Sequence, residues 1–356
     1  MRIFICSIVP NELILKLNAP QAPNNFCFNL IDNGAFDKTY SLVPPTYYYD
    51  GNYSNSLISY LGGTKDQNKI WKSLRAVLNN IKCAWKVRKS DAIWFYNICA
   101  ANVVAYLVIR FIFGVSVYTI LLDHTPSNNR LSFRYYVPRL FRLSKGMISL
   151  SSRSPITHPN FICKAGVMAK EKIQPINKQP KAQSLRFLFS GKLDAITGFP
   201  LVLGTFKQLP DIELYVSGLG EVDIEALKAY PNIHYFGYME YAEYLELYKK
   251  VDVCLSLRDP QFEENLNNFP SKILEYFSYG KIVLSTIDYP ELSGFNFVKC
   301  TFGEESLIAE IKRLNSLSDD ELNKYKDNRL VLERNFSVES WVESFNEIEN
   351  NVKYKN

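Results

Sequence analysis

The chain has 356 residues, 47% of them hydrophobic and 22% charged, an ordinary globular composition long enough for two domains with cores that need no staples. A net charge of +5 is too mild to point to nucleic acid. Seven scattered cysteines without a CxxC pair and three histidines without ligand spacing argue against a disulfide framework and a structural zinc, and for a reducing, cytoplasmic compartment.

The first residues read directly as a strand over 2–9, with no secretory cleavage site. Residues 20–60 are rich in Asn, Pro, Tyr and Gly, which predicts loops with a short strand near 26–31. A helix is expected over 66–88. It carries Lys69, Lys72, Arg75, Lys82 and Lys86, followed by Arg88 and Lys89, with Ile70, Leu74, Val77, Ile81 and Trp85 at helical spacing. Two readings fit: a core-facing stripe with solvated charges, or an amphipathic helix lying on an anionic membrane surface. A strand at 91–96 leads into the longest apolar stretch. Arg110 and Gly114 interrupt it, which predicts a buried helix over 100–113 and a strand over 115–122 rather than a membrane span. A helix over 132–143 and a strand over 146–150 follow. Arg130, Arg134 and Arg139 make a second basic cluster, suited to an acceptor or to the same membrane surface.

Residues 164–184 have linker composition. Beyond them strands are expected at 185–190, 212–217, 233–236, 251–257, 282–285 and 296–298. Helices are expected at 197–208, 222–230, 241–250, 272–279 and 304–315. From Ser337, a helix cap, Val338, Trp341, Val342, Phe345 and Ile348 recur at helical spacing. This rhythm predicts an α/β protein of two doubly wound, Rossmann-like parallel-sheet domains facing a cleft. They would span 1–170 and 180–335, with 336–356 a final helix crossing back to the first. Such sheets bind ligands beyond the carboxyl ends of their strands.

Three segments of the second half fall at such ends. Ser190, Gly191 and Lys192 close an apolar strand just before a helix, where glycine permits close approach and a lysine adds charge; a plain βα turn reads the same way. Gly218 and Gly220 form a GxG whose third glycine position is Asp223, so it is no complete dinucleotide fingerprint. The segment Asn267, Asn268, Phe269, Pro270, Ser271, Lys272 places Asn268 as a cap and Pro270 at the first helical position. Glu275 falls one turn on, on the same face as Ser271 and Lys272, where a carboxylate can accept from ribose hydroxyls below a phosphate site. In the first half, Asp123 and His124 follow an apolar strand; a titratable pair there suits proton transfer, and equally a cap and a loop histidine.

Residues 185–286 resemble the donor-binding domain of bacterial family 4 glycosyltransferases of the GT-B fold. The resemblance rests on Phe189-Ser-Gly-Lys-Leu, Gly218-Leu-Gly-Glu, the segment 232–237, Tyr248 through Leu257, and above all Asn268-Phe-Pro-Ser-Lys-Ile-Leu-Glu-Tyr-Phe-Ser-Tyr-Gly-Lys. It implies retaining transfer, without a metal or other cofactor, from a UDP- or GDP-linked sugar to a saccharide or lipid-linked acceptor. Capsule, O-antigen or lipopolysaccharide assembly at the inner face of the membrane would be its setting. Lys192 would contact the donor pyrophosphate, Glu275 the ribose, and His124 the donor sugar, with Asp123 orienting it. Three departures stand out. Asn267 replaces a frequent Glu, Thr197 a frequent phosphate-binding Lys, and Pro10-Asn11 the usual Gly-Gly after the first strand. A nucleotide-sugar epimerase of the same fold and a non-enzymatic GT-B subunit that binds and regulates a partner remain open beside this reading.

Overall fold

Alternation along short β-branched strands, with helices between them, builds two wholly parallel sheets in a computed structural model that describes residues 1–63, 68–122, 127–175 and 184–353. The chain divides into two compact units, Met1–Ala169 with Phe336–Asn356, and Lys170–Asn335.

In the first unit the strands are β1 (Arg2–Cys6), β2 (Lys38–Leu42), β3 (Ile58–Leu61), β4 (Ala92–Tyr96), β5 (Val117–Leu121), β6 (Gly146–Ser149) and β7 (Phe161–Cys163), in the order β3-β2-β1-β4-β5-β6-β7. Its helices are α1 (Gln21–Asp32), α2 (Lys69–Val87), α3 (Val103–Leu107) running into a π-turn over Val108–Ile112, and α4 (Phe133–Arg142). Successive strand residues face opposite ways, and each face acquires its own core. Phe4, Trp94 and Ile120 pack with Phe26 and Leu30 of α1; Ile5, Phe95 and Val117 pack with Cys83, Tyr106 and Phe141.

The second unit repeats the scheme with β8 (Phe187–Leu193), β9 (Leu214–Gly220), β10 (Ile233–Tyr235), β11 (Val253–Ser256), β12 (Ile282–Ser285) and β13 (Val298–Lys299), in the order β10-β9-β8-β11-β12-β13. Its helices are α5 (Phe199–Lys207), α6 (Ile224–Leu227), α7 (Tyr241–Lys250), α8 (Glu263–Asn267), α9 (Lys272–Ser278), α10 (Glu304–Ser316), α11 (Asp319–Lys326) and α12 (Arg329–Phe336). The last helix, α13 (Val338–Lys353), belongs to the first unit: Trp341, Phe345 and Ile348 are fully buried in its core. Ser337 Oγ accepts from Ser340 N at 3.2 Å, capping α13.

Residues 26–31 form no strand; they are the second half of α1. The asparagines and prolines that suggested a loop are accommodated at the helix start. Asn24 is buried, accepts from Val9 N at 3.1 Å and donates to Pro20 O at 2.6 Å. The strands of that region are β2 and β3 instead. The first part of the expected linker also belongs to the first unit, where Lys164 N donates to Ser149 O at 2.8 Å and Met168 N to Phe336 O at 2.8 Å. The apolar stripe of α2 does not face the core. The helix buries Asn80, Cys83, Ala84 and Val87 and leaves Ile70, Leu74, Val77, Ile81 and Trp85 exposed.

Candidate functional site

In each sheet the strand order reverses beside the first strand, between β1 and β4 and between β8 and β11. Doubly wound sheets open a ligand crevice beyond the carboxyl ends at that point. In the second unit, β8 and β9 run on in register with Gly191 opposite Gly218. Both glycines adopt positive φ, and a Cβ on Gly218 would lie 1.7 Å from the Gly191 carbonyl oxygen. Gly218 is thus required by the approach of two backbones. A Cβ on Gly191 would meet nothing within 4 Å, so open space fronts that strand end.

Ser190 is the hub beside it. Its hydroxyl shares hydrogen bonds with Tyr244 at 2.8 Å and Tyr276 at 3.0 Å, and accepts from Lys272 Nζ at 3.2 Å. Tyr244 in turn meets the Tyr248 hydroxyl at 2.7 Å. Tyr248 donates to one oxygen of Glu275 at 3.2 Å and Tyr241 to the other at 2.9 Å. Spacings of three and four residues put Tyr241, Tyr244 and Tyr248 on one face of α7, and Lys272, Glu275 and Tyr276 on one face of α9, with Tyr279 just past its end. The two faces meet, with Tyr248 and Tyr279 stacked at 4.5 Å.

Burial pushes the Tyr244 and Tyr248 hydroxyls above the ordinary tyrosine value, and Glu275 adds to the shift. They therefore remain neutral donors. Crowding around the Lys272 ammonium lowers its pKa, against the Glu275 carboxylate, which raises it; the residue as a whole stays exposed, so water tempers the effect. The ammonium also lies over the Tyr244 ring, 5.1 Å from its centroid. A carboxylate offers about four lone-pair sites, so Glu275 keeps acceptor capacity for a bound hydroxyl pair after its two tyrosines.

The start of α9 differs from expectation. Asn268 is extended and ends α8 rather than capping α9, whose cap position is Ser271, with no side-chain cap. Phe269 and Pro270 precede the helix and are buried, Phe269 edge-on to Tyr289 at 5.6 Å. The chain is held by that packing before the helix begins. Asn267 closes α8; its side chain lies outside the described residues.

Lys192 is exposed and paired with Asp194 at 2.6 Å, which raises its pKa. Thr197, at the position where the resemblance expects a lysine, closes the following turn: its hydroxyl donates to Lys192 O at 2.6 Å and its amide to Asp194 Oδ1 at 3.0 Å. A phosphate at Lys192 has to compete with Asp194. Lys272 is the cation bonded to Ser190, close enough to Glu275 to feel its charge.

In the first unit, Asp123 and His124 lie outside the described residues. Their approach is well defined. Leu122 N donates to Asn97 Oδ1 at 2.9 Å, and Asn97, at φ 51°, is held by Asn102 Nδ2 through its carbonyl at 2.9 Å. Asn102 also reaches Ser7 Oγ at 3.4 Å, so this cluster ties together the carboxyl ends of β1, β4 and β5. Arg130, Arg134 and Arg139 are exposed, Arg139 over the Tyr135 ring at 5.1 Å. Among the described residues no group of three or more His, Cys, Asp or Glu is placed to hold a metal.

Sequence reasoning named Ser190, Lys272 and Glu275 but missed Tyr241, Tyr244, Tyr248 and Tyr276. Their spacing was visible, but buried tyrosines at helical spacing read equally well as core. Asn97 and Asn102 were missed as anchors; the only signal was Asn102 inside an apolar run.

No protein-family model matches the chain, and no curated protein matches it in sequence. Solved structures do. A lipopolysaccharide outer core galactosyltransferase, WaaB, in its apo form superposes with a TM-score of 0.61 at 15% identity, covering 98% of this chain and 99% of that one. The catalytic domain of starch synthase IV from Arabidopsis thaliana, bound to ADP and acarbose, gives 0.64 at 8% identity over 99% of each chain. A UDP-GlcNAc 2-epimerase from Neisseria meningitidis, bound to UDP-GlcNAc, gives 0.56 at 13% identity over 100% of each. At such identities the likeness is one of fold: with its two doubly wound parallel sheets, the chain has the GT-B fold.

Proposed function

We propose that the chain is a glycosyltransferase that moves a sugar from a UDP- or GDP-linked donor, held by the second unit, to a saccharide or lipid-linked acceptor. The observation that carries the reading is the joined set Ser190, Lys272 and Glu275 at the switch point of the second sheet. It offers a cation and hydroxyl for a diphosphate and, one helical turn on, a carboxylate for ribose. In this reading the Lys272 ammonium neutralises charge building on the departing diphosphate, electrostatic stabilisation that asks for no metal. Lys192 assists once Asp194 releases it. Tyr241 and Tyr248 hold the Glu275 carboxylate in one orientation, so ribose binding does not have to order it. Asp123 and His124, beyond the anchored Leu122, are the proposed catalytic pair acting on the sugar, with retention at its anomeric carbon. Surface polysaccharide or lipopolysaccharide assembly is the proposed setting, at the inner face of a membrane.

Calorimetric titration with UDP, GDP and their sugars tests the donor half. The parent should bind one nucleotide series, and Glu275→Ala should weaken it by about 1–3 kcal/mol, the scale of charge-assisted hydrogen bonds. Equal affinity of parent and variant would remove Glu275 from the site. The epimerase likeness, covering all of both chains, supports one second reading, a nucleotide-sugar epimerase that inverts a sugar carbon and releases the free sugar to water, leaving the nucleoside diphosphate. Product analysis separates them: transfer consumes an acceptor, epimerisation proceeds without one.

A further inference from the structure

Helix α2 turns its larger apolar residues away from the protein. Ile70 is 75% exposed, Trp71 62%, Trp85 58% and Leu78 56%, while the residues it buries are Asn80, Cys83, Ala84 and Val87. This orientation is fixed. Asn80 donates to Ala101 O at 2.8 Å and accepts from Ala105 N at 2.9 Å, and Cys83 and Ala84 are fully buried. At about 100° per residue the exposed apolar side chains share one sector roughly 120° wide. Lys82, Arg75 and Lys86 follow along one border of that sector, with half-buried Lys72 beyond them toward the buried face. The helix contains no Asp or Glu.

We propose that this face of α2 is a docking surface for an anionic lipid bilayer, lying in the plane of the interface. The apolar sector enters the boundary between headgroups and acyl chains, and the basic border meets lipid phosphates. The inference refines the peripheral location given under the proposed function and rests on that part of it alone, not on the transfer reaction. Charge complementarity selects the occupant. A second copy would set one acid-free basic border against another, whereas an anionic bilayer offers an apolar interior and negative headgroups to the same helix. Arg88 supports this, its guanidinium 4.0 Å above the Trp85 ring, coupling a charge to an aromatic plane at the sector's end. The adjoining segment leaves Phe111 58% and Ile112 72% exposed beside Arg110. Among the described residues no helix is long and apolar enough to cross a membrane.

Flotation of the full chain with vesicles of phosphatidylglycerol and phosphatidylcholine, against phosphatidylcholine alone, tests this. The parent should float with the anionic vesicles and do so less at high salt. Trp71→Ser with Trp85→Ser should lower the bound-to-free ratio about tenfold or more, and Lys72→Glu with Lys82→Glu should abolish the preference for anionic lipid. All variants should keep the parent's nucleotide affinity and melting temperature, which separates failure of docking from failure of the donor site and from misfolding. Equal flotation of parent and Trp variants overturns the proposal. So does a lipid-free dimer that the Trp variants dissolve, since the face would then be an interface between copies.

Discussion

Lys164 shows how a single charge is set by its surroundings. It lies partly buried, with its ammonium 5.9 Å from the centre of the Trp341 ring. Burial pushes its pKa down from 10.5 to about 8, opposed by Glu343. Between these values the unfolded chain holds the proton that the folded chain has lost, so this residue makes stability rise with pH through that window; below it, the full penalty for burying the charge is present. Lys164→Met is therefore expected to raise the melting temperature at pH 7, by a margin that shrinks as pH approaches 10. A margin constant with pH would mean that Lys164 titrates like an exposed lysine. Nothing in the residues hinted at this, because 164–184 has the composition of a linker and does not reveal that the chain is still following the first sheet. Glu275 is the opposite case. Its place one turn after Lys272 was readable from spacing, while the two tyrosines that hold it were not, since tyrosine serves core and site alike.

Among the elements, α13 joins sequence signal and structure most closely. A capping serine and apolar residues at helical spacing announced it, and the helix fills the first unit's core from the far end of the chain. Trp341 donates to Gly166 O at 2.8 Å, and Arg2 donates to Glu349 Oε1 at 2.7 Å and to its Oε2 at 3.0 Å, with Trp94 Nε1 also donating to Oε1 at 2.7 Å. Trp341→Ala should destabilise the first unit by about 3–5 kcal/mol, the range for large-to-small changes in a core, measured by denaturant unfolding followed by near-ultraviolet circular dichroism. A loss under 1 kcal/mol would show that the helix is dispensable to that core. Helix α1 was the element whose reading failed, and α2 the one whose outward face the sequence left open between two readings. In α1 the turn-forming residues outweighed Phe26, Cys27, Leu30 and Ile31, which do recur at helical spacing. In α2 the periodicity was right, and of the two readings it left open the structure excludes the core-facing one: periodicity tells which side chains share a side, not whether protein or solvent lies against them, and small residues can bury a helix as firmly as large ones.

For the molecule as a whole, doubly wound parallel sheets were readable where strands are continuous apolar runs, as in the second half; their like strand order came from the structure. They were obscured where β2 and β3 sit among asparagines and tyrosines. The strand end proposed to hold the donor, with Ser190 and Gly191, was readable from the strand-to-helix rhythm, and the structure supplies its partners on α7 and α9. Division of labour is the central claim of the proposal: the second unit would hold the nucleotide, and Asp123 and His124 of the first would act on the sugar. An acceptor-dependent transfer assay, run with nucleotide titration on the same samples, tests that claim most directly. His124→Ala should lose turnover by about 100-fold or more, the scale of a lost general acid or base, with nucleotide affinity nearly unchanged. Glu275→Ala should lose affinity first. Full transfer activity in His124→Ala, or loss of nucleotide binding from that substitution, would contradict the account.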